Sequence, residues 1–415
     1  MKNLFIITLL CLAACTKSID RPADRNVAAH SGEIQSCDFG ITRFNTVKRP
    51  SVINDEASKG RPIKNSHGNP PPVITPPPVI ITPPPVIITQ PPVIITPPPT
   101  NTSVILLDFD GHRVSGTRWN TNGDIVAAPA NLTAVQTDEI IKRVTNDYSA
   151  FNITVTTDEA IYNAANIYKR MRVIMTESWE WYGQAGGVSF VSSFTWGDNT
   201  PCFVFSSLLN YNSKYIAEAV SHEAGHSFGL FHQASFDASG VKTSEYNPGQ
   251  GSGEISWAPI MGVSYYKNLT LWHNGSNSYG ATSYQNDVAI ITNIVGVKSD
   301  DYSNTFSGAT PITSSLDGII NNSTDIDFFS IDISSSKTIS LVPFNLGVNN
   351  AGANLDLVLN IYDSQGILIS VIDNSDVLSK TTFLNAGKYY LSASTTANQY
   401  ATKFGMLGYY NISLL

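Results

Sequence analysis

The chain has 415 residues, a formal net charge of -8 and only 14% charged residues, with Ser, Thr, Asn and Gly abundant in their place. It has no run of Lys or Arg that could track a phosphate backbone, which excludes a nucleic-acid binder held by charge. The length is that of two or three domains, and low charge with many small polar residues is a common composition of exported proteins.

The first fifteen residues, MKNLFIITLLCLAAC, carry Lys2, an apolar run from Leu4 to Leu12, and then Ala13, Ala14 and Cys15. The run is too short to cross a bilayer stably, and its charged start and small-residue end fit an export signal. Leu12-Ala13-Ala14-Cys15 resembles the bacterial lipoprotein box. The resemblance implies removal of residues 1–14, attachment of lipid to Cys15 as the membrane contact, and a place in the bacterial cell envelope as an outer-membrane lipoprotein, periplasmic or surface-exposed. Residues 15–68 are polar and irregular. Residues 69–100 then repeat PPPVIT or PPPVIIT, and runs of three prolines can neither form a helix nor join a central strand. As polyproline II this stalk would reach on the order of 90 Å at about 3.1 Å per residue.

From residue 101 the composition turns globular. Val104 to Leu107 reads as a buried strand, and residues 133–151 place Ile140, Ile141, Val144, Tyr148 and Phe151 at helical spacing, with Thr133 or Asn131 as cap. Strands are expected at 153–157, 172–176, 188–193 and 203–206, and helices at about 214–230 and 283–295. Interleaved strands and helices predict an α/β (α+β) domain over residues 101–298 with a twisted mixed sheet. Val104 to His112, VILLDFDGH, resembles the DxDx(T/V) motif of haloacid-dehalogenase-like phosphatases. His112 stands where Thr or Val belongs and no downstream GDxxxD follows, so Asp108 to Gly111 reads as a strand ending in a turn.

The helix at 214–230 carries HEAGHSFGLFH, residues 222–232, with three of the chain's seven histidines. His222 and His226 are four apart and share a face, so both imidazoles can reach one ion. A third ligand requires a change of direction, which Gly229 supplies as a left-handed helix end, and His232 then swings back. Three histidines leave one tetrahedral position of Zn²⁺ for water, the arrangement of a catalytic site, and Glu223 is placed to act as general base in peptide hydrolysis.

HEAGHSFGLFH resembles the HExxHxxGxxH signature of the metzincin zinc peptidases, and Ala258-Pro259-Ile260-Met261-Gly262 is similar to their methionine turn. The resemblance implies a metzincin-type zinc endopeptidase with an active-site helix, and Met261 as the floor of the site. It also implies a protein or peptide substrate bound as an extended strand, for which residues 186–194, GGVSFVSSF, offer an edge. A tyrosine after the methionine assists in several metzincins; Tyr265 is favoured over Tyr266 here, although neither stands at the commonest spacing. Gln233 matches no subfamily marker. Cys37, in SCDFG, resembles the thiol of cysteine-switch segments and could cap the open zinc position. A Cys37–Cys202 disulfide and an idle thiol are the alternatives, two cysteines being too few for a disulfide framework. A rival from another class is an adhesin that keeps the fold and zinc without turnover, against which an intact Glu223 argues.

After Asp300 and Asp301 the apolar period becomes two. Leu355, Leu357, Leu359 and Ile361 alternate with polar residues, a turn follows at 363–366, and Ile367, Ile369 and Val371 continue the pattern, as do Tyr389, Leu391 and Ala393. An all-β sandwich over residues 299–415 is expected. Its segments DIDFFSIDI, NLDLVLNIYDSQG and LNAGKYYLSA resemble the bacterial pre-peptidase C-terminal domain, some members of which bind calcium. Asp325, Asp327 and Asp356 are the candidate Ca²⁺ ligands, and the whole chain is expected to be a monomer.

Overall fold

The computed structural model describes residues 34–36, 102–345, 351–374 and 376–415. The expectations for the export signal, Cys15, Cys37 and the proline-rich stalk lie outside the described residues. Six strands form the main sheet in the spatial order Ile34–Ser36, Gly187–Phe190, Cys202–Phe205, Arg170–Thr176, Ser103–Asp108, Ile153–Thr156. The last four run parallel, and the first two are antiparallel additions. Every residue of Ser103–Asp108 and of Cys202–Phe205 is buried, as their unbroken apolar runs require of strands covered on both faces. The fold is thus a mixed-sheet α/β domain followed by a strand-rich one. Gly187–Phe190, read from sequence as a substrate edge, has Cys202–Phe205 on one side and a strip of this chain's own N-terminal region on the other.

The helix Ala134–Asp147 is capped by Thr133, whose side chain accepts from Gln136 N while Gln136 reaches back, a complete capping box. Asn131 is instead left-handed, at φ 55°. This helix ends before the expected residue 151, because Tyr148 leaves helical geometry and packs its ring between Phe228 and Trp272. The last helix of the domain, Asp287–Val295, begins at its Asn286 cap, and Tyr284–Asn286 pairs as a strand with Asn274–Ser276. A short helix, Glu159–Ala164, was not expected; Asp158 caps it.

Two sheets make the sandwich. One orders Thr310–Pro311, Asp327–Ile333, Gly387–Thr395, Leu357–Tyr362 and Leu368–Ile372, the other Ser315–Ile320, Gly408–Leu414, Lys337–Pro343 and Lys380–Leu384. Leu355, Leu357, Leu359 and Ile361 face the core as the alternation predicts. Ile367, Ile369 and Val371 do not: they are exposed on the edge strand. Val371 stands opposite Asn360, which alternates with the core-facing Leu359 and Ile361, so this face of the strand points away from the core.

Ile255, Trp257, Leu269 and Leu271, from the first domain's sequence, belong to the same apolar cluster as the sandwich core. Polar contacts join the two parts as well. Asn354 donates to the Asp147 carboxylate at 2.8 Å and accepts from Asn146 at 2.8 Å, all three buried. Asp147 also accepts from Ser221, one residue before His222. Burial and the neighbouring Glu218 push the Asp147 carboxyl up to about 7, while Ser221 and Asn354 pull it down. Asn354→Ala strips one partner from a buried carboxylate and should destabilise the protein by about 1–3 kcal/mol, read as a lower urea midpoint.

Candidate metal centre

The helix Ser213–Ser227 starts at Asn212, whose side chain accepts from Tyr215 N, and packs against Ala134–Asp147 and the sheet. From Ile216 to Ser227 every residue is buried, so His222, Glu223 and His226 lie in the interior. The helix closes at Phe228, and Gly229 takes φ 99° with its N–H on His226 O at 2.8 Å. Leu230 N then bonds back to Gly225 O at 3.2 Å. This Gly-mediated end reverses the chain and returns His232 to the helix face.

The three rings converge: centroids of His222 and His226 are 4.7 Å apart, of His222 and His232 5.3 Å, and of His226 and His232 4.9 Å. One ring nitrogen from each lies within 4.8 Å of the others. Each Nδ1 has a protein acceptor, Ile260 O at 2.8 Å for His222, Leu230 O at 2.7 Å for His226 and Glu245 Oε1 at 3.0 Å for His232. That leaves Nε2 as the ligand atom in each, and His226 Nε2 is buried without a hydrogen-bond partner. Burial holds His222 and His226 well below the usual imidazole range, so both are neutral, as metal ligands must be. Three imidazoles oriented in this way, each with Nε2 turned to the others, fit a zinc ion.

Two glycines make the space around these ligands. A Cβ on Gly187, in the edge strand, would lie 2.7 Å from both Cγ and Oε1 of Glu223, so the edge strand presses on the glutamate. A Cβ on Gly225 would lie 2.5 Å from Met261 Sδ. Met261 is fully buried under the helix, and its carbonyl accepts from Gln233 N at 2.7 Å, which ties the methionine turn to the third-histidine loop. Gln233 also donates to Asp287, whose carboxyl burial pushes up to about 7.

Tyr265 packs near the start of the same helix. Its ring stacks on Tyr215 at 4.9 Å, and Tyr215 precedes His222 by seven residues, about 10 Å along the helix. The tyrosine the structure sets against the histidines is Tyr246, 4.4 Å from the His232 ring and 6.3 Å from that of His222. Neither Tyr246 nor Glu245 was singled out in the sequence; a polar pair within 15 residues of the third histidine was the available signal. Cys202 is a free thiol, fully buried beside Ser189 Oγ at 3.1 Å, while Cys37, its partner in the disulfide alternative, lies outside the described residues. Asp108 ends its strand as expected, ion-paired to Arg172, which also holds Glu159.

Comparison with curated proteins gives no match. Among solved structures, the chain is similar to the pre-peptidase C-terminal domain of a Bacillus anthracis collagenase, at 13% identity over 28% of this chain and 98% of that one, with a TM-score of 0.19. It is also similar to PliG of Aeromonas hydrophila, a periplasmic inhibitor of g-type lysozyme, at 12% identity over 26% and 96%, with a TM-score of 0.18. Residues 130–285 match the family model of metallo-peptidase family M12B, reprolysin-like, a span that contains the three histidines, Glu223, the glycines beside them and Met261. This part of the chain is a reprolysin-like metallopeptidase domain of family M12B.

Proposed function

We propose that the protein is a zinc-dependent endopeptidase acting on extracellular or periplasmic proteins, with His222, His226 and His232 as ligands and Glu223 as general base. The convergence of three oriented imidazoles beside a buried glutamate supports this reading most strongly. Zinc held there supplies Lewis acidity, acidifying water and polarising a scissile carbonyl. Glu223 takes the proton of water as its oxygen bonds to the carbonyl carbon, and passes that proton to the departing amine. Fully buried, its carboxylate is closely approached by Gly187 of the proposed substrate edge. Met261 packs against Gly225 and fixes the floor.

Substrate is proposed to lie along Gly187–Phe190. That edge accepts an antiparallel strand of the chain itself, Ile34 opposite Phe190, Gln35 opposite Ser189 and Ser36 opposite Val188. Under this reading the N-terminal strip and substrate compete for one edge, so the strip must leave before cleavage. The latency role proposed for Cys37 rests on its place as the next residue in the chain. Attachment to the envelope through lipid on Cys15 is likewise a proposal from the sequence; among the described residues no helix is long and apolar enough to cross a membrane.

A structural calcium is proposed where the chain enters the sandwich. Asp300, Asp301 and Asp327 bring carboxylate oxygens within 4.8 Å of one another, with Asp325 close by, and Asp327 Oδ1 is buried without a hydrogen bond. Asp356 is not part of this group. Its carboxylate faces the buried Lys380 at 3.3 Å and Asn398 at 2.9 Å, so its charge is already balanced.

Glu223→Ala should lose about 10²–10⁴-fold in casein hydrolysis while keeping zinc, with metal content assayed in both proteins; equal cleavage by the variant would overturn the assignment. Gln35→Pro removes a backbone donor from the covering strip and should raise the initial rate severalfold, read with a fluorogenic peptide. Calcium should raise the melting temperature of the wild type but not of Asp327→Asn. Burial and nearby carboxylates push Asp327 up to about 8 and Asp325 up to about 6. The calcium-free fold therefore binds more protons than the unfolded chain, and it loses stability as pH rises from the unfolded carboxylate range towards 8. The calcium effect should accordingly be larger at pH 8 than at pH 5.

A further inference from the structure

The three histidines are not oriented alike. His222 and His226 donate from Nδ1 to the backbone carbonyls of Ile260 and Leu230, whereas His232 donates to a side-chain carboxylate, Glu245 Oε1, at 3.0 Å. Thirteen residues separate His232 from Glu245, and the intervening chain is built to close that gap. Ser235–Phe236 pairs antiparallel with Lys242–Ser244. At the hairpin tip Asp237 Oδ1 accepts from Ser239 N and Val241 N, both at 2.9 Å, and Gly240 takes φ 78°. Beyond Glu245, Asn247 N bonds to Gln233 O at 2.7 Å and Val263 N to Asn247 O at 3.0 Å, which fastens the hairpin exit to the methionine turn. Lys242 Nζ holds Glu245 Oε2 at 2.7 Å, and Tyr246 packs against the His232 ring.

We infer that Glu245 is a positioning residue for the metal site, a carboxylate that fixes the His232 tautomer and ring plane and raises its donor strength. The inference rests on the zinc-peptidase reading above. A carboxylate on Nδ1–H draws that proton towards itself, enriches the ring in electron density and leaves Nε2 as a better donor. The two backbone carbonyls cannot do this to the same degree, because they carry no net charge. His232 is also the ligand that lies beyond the helix, on a loop, where orientation is not supplied by helical geometry. The carboxylate therefore acts on the ligand with the most freedom to lose.

The test uses the full chain and compares the wild type with Glu245→Ala and Glu245→Gln. Zinc affinity is measured by competition with a chromophoric chelator, the cobalt-substituted absorption spectrum is recorded, and thermal unfolding of the metal-free proteins is followed. Glu245→Ala should bind zinc about 10–100-fold more weakly, with an altered cobalt spectrum. Glu245→Gln keeps an acceptor but not the charge, and should fall between. An affinity for Glu245→Ala within about twofold of the wild type, or equal losses in the two variants with an unchanged cobalt spectrum, would overturn the inference, because a hairpin support alone predicts those results. If Glu245→Ala does not fold, Glu245→Gln decides by the same two readouts. Zinc content and casein cleavage by the wild type test the parent reading separately, so a wild type that binds zinc without cutting would sink the peptidase assignment and leave the Glu245 comparison intact.

Discussion

The reversal at Gly229 is the constraint on which the rest of the site depends. Two histidines four apart follow from any helix, but the third must come from a chain that has already left it. A φ of 99° at Gly229 is strained for a residue with a side chain, and it lets Leu230 place both its N–H on Gly225 and its carbonyl on His226 Nδ1. One turn thus ends the helix, orients the second ligand and delivers the third. The same residue closes the helix through its N–H and supports His226 through its carbonyl, so the backbone that shapes the histidine set is held by it in turn.

Close approach is the second constraint. Gly225 lets Met261 come up under the helix, and Gly187 lets the edge strand meet Glu223. A side chain at either position would have to move the histidine-bearing helix relative to Met261 or to the strand Gly187–Phe190. The helix is also tied from behind, since Ser221 reaches the buried Asp147, which Asn354 of the sandwich satisfies as well. The accessory domain therefore completes a polar network that begins one residue from a metal ligand, and its packing bears directly on the site.

Legibility in the sequence followed the range of the interaction that decides each feature. His222, Glu223, His226, Gly229 and His232 act within eleven positions, through helical spacing and one turn, and could be read directly. Ser103–Asp108 and Cys202–Phe205 announced themselves as apolar runs because burial on both faces favours that pattern. Gly187 and Glu245 could not be found that way: one meets the helix from 36 residues upstream, the other through a hairpin whose turn chemistry gives no hint of where its exit will land. Tyr265 was favoured for following the methionine, and its ring stacks on Tyr215, while Tyr246, which the sequence did not single out, packs against the His232 ring. Asp356 likewise reads as a ligand only until Lys380, 24 residues on, is folded against it.

These differences have one physical origin. Periodicity encodes which face of an element is buried, and chain reversals by glycine encode where an element stops, so both survive in a one-dimensional pattern. Orientation of a ligand by a second residue depends on loop closure, and a hairpin such as 235–244 can place any of several neighbours at the same point. The metal site thus has two layers with different visibility. The ligands are set by helical repeat and one left-handed turn, whereas the groups that aim them, two carbonyls and a carboxylate, are set by where the methionine turn and the hairpin come to rest. Substitutions in the second layer can change how the three histidines are aimed while the signature itself remains intact, so under the zinc reading the motif names the ligands and the surrounding loops set how firmly an ion would be held.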